Sequence, residues 1–143
     1  MSQLYDDDIL LWSEQQAALL RRLANGERVN DQLDWENLIE EIETSGRSEL
    51  RAVESHHVQA LLHDLKAAAR PLARDVPHWR AEARGHRADA RRAFALSMQQ
   101  KIDLAELYCD VLGRMPESID NIQPLPVPTE RPFPTVEALI AAP

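Results

Sequence analysis

The sequence predicts an all-α protein, a compact bundle of four to five helices followed by a proline-rich C-terminal arm. Three observations lead there. Apolar residues recur at intervals of three and four as far as Met115, the spacing that gives a helix one apolar stripe. Val, Ile and Thr never alternate over more than a few positions, so strand signals are close to absent. Finally, Pro124, Pro126, Pro128, Pro132 and Pro134 gather beyond the periodic region, where an extended polyproline-like backbone is the natural conformation. On this pattern residues 1–115 form the bundle and 116–143 the arm, with a short terminal helix packed on the same domain.

The elements follow in order. A first helix should begin near Asp6 or Asp7, either of which can cap, and run to about residue 24, with Asn25-Gly26 as its stop. Its stripe is Leu10, Leu11, Ala17, Leu20 and Leu23. Asp34 reads as the N-cap of a short second helix over 35–44. There Trp35, Leu38, Ile39 and Ile42 take one face and Glu36, Glu40 and Glu43 the other, and Gly46 is placed to end it in a left-handed conformation. Ser48 can cap a third helix running towards Arg70, where Pro71 restricts the preceding residue. Leu50, Val53, His57, Val58, Leu61, Leu65 and Ala68 make its apolar wall, opposite His56, Gln59, His63, Lys66 and Arg70. Pro77 suits the first turn of a fourth helix reaching about 95, and Ser97 the start of a fifth ending near 113. The inward set of that fifth helix is Met98, Ile102, Ala105, Tyr108, Cys109 and Leu112. Thr135 can cap a final turn or two over 136–141, and Trp12, Trp35 and Trp79 should anchor the core.

Composition narrows the function classes. The 143 residues suit one domain, and a lone Cys109 excludes a disulfide within the chain and a multi-cysteine metal site. No apolar run approaches the roughly 20 residues of a membrane helix. Asp6, Asp7 and Asp8 stand where a signal peptide would be basic, so a cytoplasmic protein is expected. The net charge of -8 resolves into -8 over residues 1–54, +5 over 55–101 and -5 over 102–143. All five histidines lie in the basic segment.

Two blocks carry a family resemblance: Tyr5-Asp6-x-Asp8-x-x-x-Trp12-x-x-x-Gln16-Ala17-x-Leu19-Leu20-Arg21, and Leu33-Asp34-Trp35-Glu36-Asn37-Leu38-Ile39-Glu40-Glu41-Ile42-Glu43-x-x-Gly46-Arg47-Ser48-Glu49. With Leu61-Leu62-His63-x-Leu65-Lys66, Trp79-Arg80 and Arg87, they resemble a bacterial family known as domain of unknown function 29. The resemblance implies an all-helical fold and no established activity. Asp64 and Ala67 replace a Leu and a Trp usual in that family, Ala83 and Ala90 replace bulky aliphatics, and Arg131-Pro132 stands for a Cys-Pro pair. These changes thin the expected core.

Three constellations could carry chemistry. Glu36, Glu40 and Glu43, with Glu41 beside them, could supply oxygen ligands to Mg2+ or Mn2+ in a metal-dependent hydrolase, although such sites usually need a second acidic helix. A solvated or ion-paired face is the ordinary reading. His56 and His63 share a face but stand about 10.5 Å apart along the helix, too far to chelate one ion unaided. His57 reads as a hydrogen-bonded core histidine, and Asp64, adjacent to His63, points about 100° away from it. Arg80, Arg84, Arg87 and Arg91 recur at offsets of four, three and four and form one stripe. That stripe is either clasped by the glutamates or an anion- or nucleic-acid-binding surface, and the acidic net charge favours the clasp.

No catalytic residue and no cofactor is assigned. The expected function is a protein-interaction or regulatory module with an unidentified protein partner. Its surfaces are Glu36, Glu40, Glu41, Glu43 and Glu49, with His63 and Lys66 on the next helix. A second copy of the chain is expected to complete part of the core; nucleic acid and membrane are not expected partners.

Overall fold

In the computed structural model, which describes residues 3–143, a cap splits the N-terminal helical pattern in two. Gln3–Asp7 is a short helix, α1. Asp8 then accepts a hydrogen bond from the Leu11 backbone N–H (3.0 Å) and starts α2, Ile9–Ala24. The expected single helix becomes two because Asp8, rather than Asp6 or Asp7, satisfies a free donor of the new first turn. Asn25-Gly26 ends α2 as expected. Gly26 sits at φ +91°, its N–H bonds to the Leu23 carbonyl (3.0 Å), and the Glu27 N–H bonds to that of Arg22 (3.1 Å). These are the paired bonds of a Schellman stop.

A 3-10 turn, Asn30–Gln32, leads to α3, Trp35–Ala69, a helix of 35 residues. The expected second and third helices are therefore one. Gly46 is helical rather than left-handed, and Ser48 lies inside the helix rather than at its cap. A helical glycine costs about 1 kcal/mol relative to Ala. Beside it, Arg47 reaches back along the helix to Glu40 (2.9 Å) and Glu43 (3.5 Å), local pairs that exist only in helical geometry.

The chain forms two compact units, one ending at Arg47 and the other comprising Ser48–Pro143. In the first, Trp12, Val29 and Leu33 are buried with Gln16. Tyr5 meets Trp12 edge-on at 4.8 Å between ring centroids. Trp12 Nε1 donates to Asp34 Oδ2 (2.9 Å), Asn37 Nδ2 donates to the same oxygen (2.8 Å), and the Asp34 N–H donates to Gln16 Oε1 (2.8 Å). Hydrogen bonds from Asn37 and Trp12 hold the Asp34 carboxyl below its usual pKa. Leu10, Leu11, Leu20, Trp35, Ile39 and Ile42 are exposed, against the expectation of an inward stripe. Asn37, Leu38 and Glu41 are instead the half-buried residues at the start of α3.

The second unit has a conventional core. It holds residues 48–69 of α3, then α4 (Val76–Ala93), a 3-10 turn at Leu96–Met98, α5 (Leu104–Gly113) and α6 (Val136–Ala141). Val53, Val58, Leu61 and Leu65 of α3 pack with Ile102, Leu107, Tyr108 and Val111, and with Val136 and Leu139 of α6. Helix α5 starts at Leu104 rather than near Ser97, because Asp103 caps it by accepting from the Glu106 N–H (3.1 Å). Cys109 is exposed, not inward, and Leu107 and Val111 take the buried positions. Ala83 and Ala90, which looked like missing bulk, are fully buried, as expected where a helix surface is approached closely. Thr135 caps α6 by accepting from Ala138 (3.1 Å), as the sequence indicates.

The arm is fastened at several points. Arg70, expected on the polar wall of α3, is buried and donates from Nη2 to the Pro116 carbonyl (2.9 Å). The Leu125 N–H donates to the Ala69 carbonyl (2.8 Å), and the Tyr108 hydroxyl donates to the Pro128 carbonyl (2.7 Å). Between them Ile119 and Ile122 face each other across Asp120 and Asn121, both at positive φ (51° and 62°). A turn with two left-handed residues favours Asp and Asn. The protein is all-α, with six helices among the described residues, four of them seven residues or longer. Among those residues no helix is long and apolar enough to cross a membrane.

Candidate functional site

Helical spacing sets what the first half of α3 presents. Trp35, Ile39 and Ile42 fall at i, i+4 and i+7 and are 47%, 53% and 73% exposed. Glu36, Glu40 and Glu43 stand beside them and are also exposed. Arg47 engages Glu40 and Glu43 and also donates to Thr44 Oγ1 (2.9 Å). Glu41 turns the other way and accepts from the Tyr5 hydroxyl, which pushes the Tyr5 pKa up to about 12. Glu41 therefore belongs to the packing of the first unit rather than to a ligand set. Glu49 is exposed.

In the second unit, α4 places His86 against the histidine face of α3. His56 Nδ1 and His86 Nδ1 are 3.1 Å apart, and their ring centroids 5.4 Å. The His63 and His86 rings stack at 5.9 Å with 13° between planes. Glu82, one turn before His86 on α4, brings its Oε2 to 3.9 Å from His86 Nε2. His63, Glu82 and His86 can each offer a ligand atom such that all three atoms lie within 4.8 Å of one another. Among the described residues this is the one group of three or more His, Cys, Asp or Glu side chains that converges so closely. His63 Nδ1 is buried without a hydrogen-bond partner. Burial, followed by the charges of Lys66 and His86, lowers the His63 pKa.

The neighbours of this seam are fixed by their own pairings. Arg87 binds Asp64, so the carboxylate beside His63 serves an arginine of α4, and the partner expected for Arg87 among the glutamates is replaced by Asp64. Lys66 lies over the Trp79 ring at 4.9 Å, and burial lowers its pKa. Arg80, Arg84 and Arg91 are exposed and make no salt bridge among the described residues. His57 is buried as expected, at 2% exposure, but neither ring nitrogen has a partner. Burial and the nearby Arg87 hold its pKa down to about 4.

The sequence reading singled out His63 and missed His86 and Glu82. Their signal was present as Glu82-x-x-x-His86, an i, i+4 pair that puts both side chains on one helical face. Spacing within α3 alone does not reveal it, because the second helix supplies the missing groups.

A family model described as Domain of unknown function DUF29 matches residues 4–141. The chain is also similar to the crystal structure of an alpha-helical protein of unknown function from Rhodospirillum rubrum, at 27% identity and a TM-score of 0.69. That match covers 99% of this chain and 91% of the other. No curated protein matches.

Proposed function

We propose, starting from the fact that the chain belongs to the DUF29 family, that it is a protein-interaction module whose first unit docks a basic amphipathic helix of a partner protein. The observation that carries this reading is the exposed Trp35, Ile39 and Ile42 stripe bordered by Glu36, Glu40 and Glu43. Large apolar side chains placed together in water favour being covered, and helix-in-groove recognition reads such i, i+4 and i+7 anchors. Residues 1–47 carry eleven acidic and four basic side chains, a net charge of -7. A second copy brings the same negative charge to this face, whereas a cationic helix is attracted to it and discriminated by it. Charge complementarity therefore supports a basic partner over the homodimer.

The test is titration of a synthetic helical peptide, with Leu at helical spacing and Lys elsewhere, into the full chain and into the Ile39→Ser/Ile42→Ser double variant. Binding is followed by Trp fluorescence and calorimetry. Both substitutions are at exposed positions, so the fold is retained. The reading expects micromolar binding lost on substitution and weakened by salt. Equal binding by both proteins overturns it. A dimer that dissociates in the variant assigns the stripe to a second copy instead.

A further inference from the structure

We propose that His63, Glu82 and His86 form a binding site for one transition-metal ion, zinc being the ion their donor set suits, and that His56 orients His86 from behind. Two imidazoles and one carboxylate are a donor set that zinc accepts with a fourth position left to water. Mg2+ and Ca2+, which take oxygen ligands, are disfavoured by two nitrogens out of three.

The geometry is close to what such an ion needs. Zinc bonds of about 2.0–2.1 Å in a tetrahedron put ligand atoms about 3.4 Å apart. Here the three ligand atoms lie within 4.8 Å of one another, a gap that side-chain rotation can close. The ligands come from two packed helices, His63 from α3 and the Glu82/His86 pair from successive turns of α4. Their backbone positions are therefore held by helical structure.

The two nitrogens of His86 have different surroundings. Nε2 faces Glu82 at 3.9 Å, and Nδ1 meets His56 Nδ1 at 3.1 Å. With Nε2 on the metal, His86 carries its proton on Nδ1 and donates it to His56. A metal-bound histidine characteristically donates its remote N–H in this way, which fixes tautomer and ring plane. His56 is thus a positioning residue.

The electrostatics are compatible with a cation. A ligand histidine must be neutral, and burial disfavours the charged form of His63. Glu82 supplies negative charge and, with its side chain 44% exposed, an entry path. Arg87, next to His86 in sequence, is paired with Asp64, and Lys66 is held over Trp79. The arrangement also accounts for a cost otherwise left open. Three imidazoles are gathered at one seam and His63 Nδ1 is buried without a partner; an ion coordinated by this ring would draw its neighbours into one satisfied network.

The experiment uses the full chain, stripped with chelator and titrated with ZnCl2 by calorimetry, and separately loaded with Co2+ for visible absorption. One equivalent should bind, with a tetrahedral Co2+ spectrum, and Zn2+ should raise the melting temperature. His63→Ala and His86→Ala should each abolish stoichiometric binding. His56→Ala should weaken it by roughly 10–100-fold, the range for losing a supporting group, and Glu82→Gln, which removes a ligand's charge, should weaken it at least as much. His78→Ala, at an exposed histidine outside the cluster, should bind as the parent does. Circular dichroism of each apo variant separates loss of the site from loss of fold; if His86→Ala unfolds, the decision passes to Glu82→Gln and to the Co2+ spectrum. Absence of stoichiometric zinc in the parent chain overturns the proposal, as does binding that His63→Ala and Glu82→Gln leave unchanged.

Discussion

Trp35, Ile39 and Ile42 in the first half of α3 hold a helical spacing comparable to that of Val58, Leu61 and Leu65 in the second, and the two sets meet opposite environments. The later set is sealed against Tyr108, Val111 and Leu139, while the earlier one faces water. The earlier half also keeps Glu40 and Glu43 in solution, paired with Arg47, whereas the later half carries the histidines that α4 covers. One continuous helix thus has a structural half and a presenting half. An apolar stripe establishes that a helix has a face to bury; it carries no information about whether the same chain supplies the cover.

The sharpest way to break this contrast is to truncate one side chain from each half. Leu61→Ala should lose about 2–5 kcal/mol, the range for a buried Leu that leaves a cavity. Ile42→Ala should stay within about 0.5 kcal/mol, as exposed substitutions do. Urea denaturation followed by circular dichroism measures both, and similar losses would show that the halves are not distinct.

Acid should act on the buried half. His57 has a folded pKa of about 4, below its ordinary value, so the unfolded chain takes up a proton that the folded chain refuses. Stability is then fully present above pH of about 6.5 and declines as pH falls towards 4, by on the order of 3 kcal/mol at most. His57→Leu, which removes two unpartnered ring nitrogens, should flatten that decline and leave neutral-pH stability equal or higher. Unfolding free energies of both proteins across this window provide the comparison; an unchanged slope would remove His57 as its source.

The smallest effect lies at the join. A Cβ added at Gly46 meets nothing within 4 Å, and the backbone there is helical. Gly46→Ala should therefore raise stability by about 0.5–1 kcal/mol, read as a higher denaturation midpoint. A loss would mean that this position needs glycine for some other reason.

Much of the fold was legible because local chemistry determines it. The Asn25-Gly26 stop rests on backbone bonds to carbonyls three and five residues back, and the Asp34 start and the Thr135 cap on side chains within three residues of the backbone they satisfy. Gly46 misled because a stop signal and a tolerated interior glycine look alike until neighbouring pairs, here those of Arg47, tip the balance. Arg70 and Cys109 were misassigned for a tertiary reason. The arm lies over the first and accepts one hydrogen bond from it at the Pro116 carbonyl, while Leu107 and Val111 take the inward face of α5 from the second. The histidine seam was half legible: spacing gave His56 and His63 a common face, but the register of α4 against α3, which delivers His86, is a property of packing.

The unbroken hydrogen-bond ladder of α3 has a consequence in time. Fraying can enter at Trp35, where the side chains are in water, and pass Gly46 without meeting a buried residue until Val53, which has no exposed surface. Amide protons along this one helix should therefore exchange on two scales, quickly over residues 39–47 through local opening and slowly beyond Val53, where exchange must await unfolding of the whole second unit. The helix that presents a surface at one end is clocked by a core at the other.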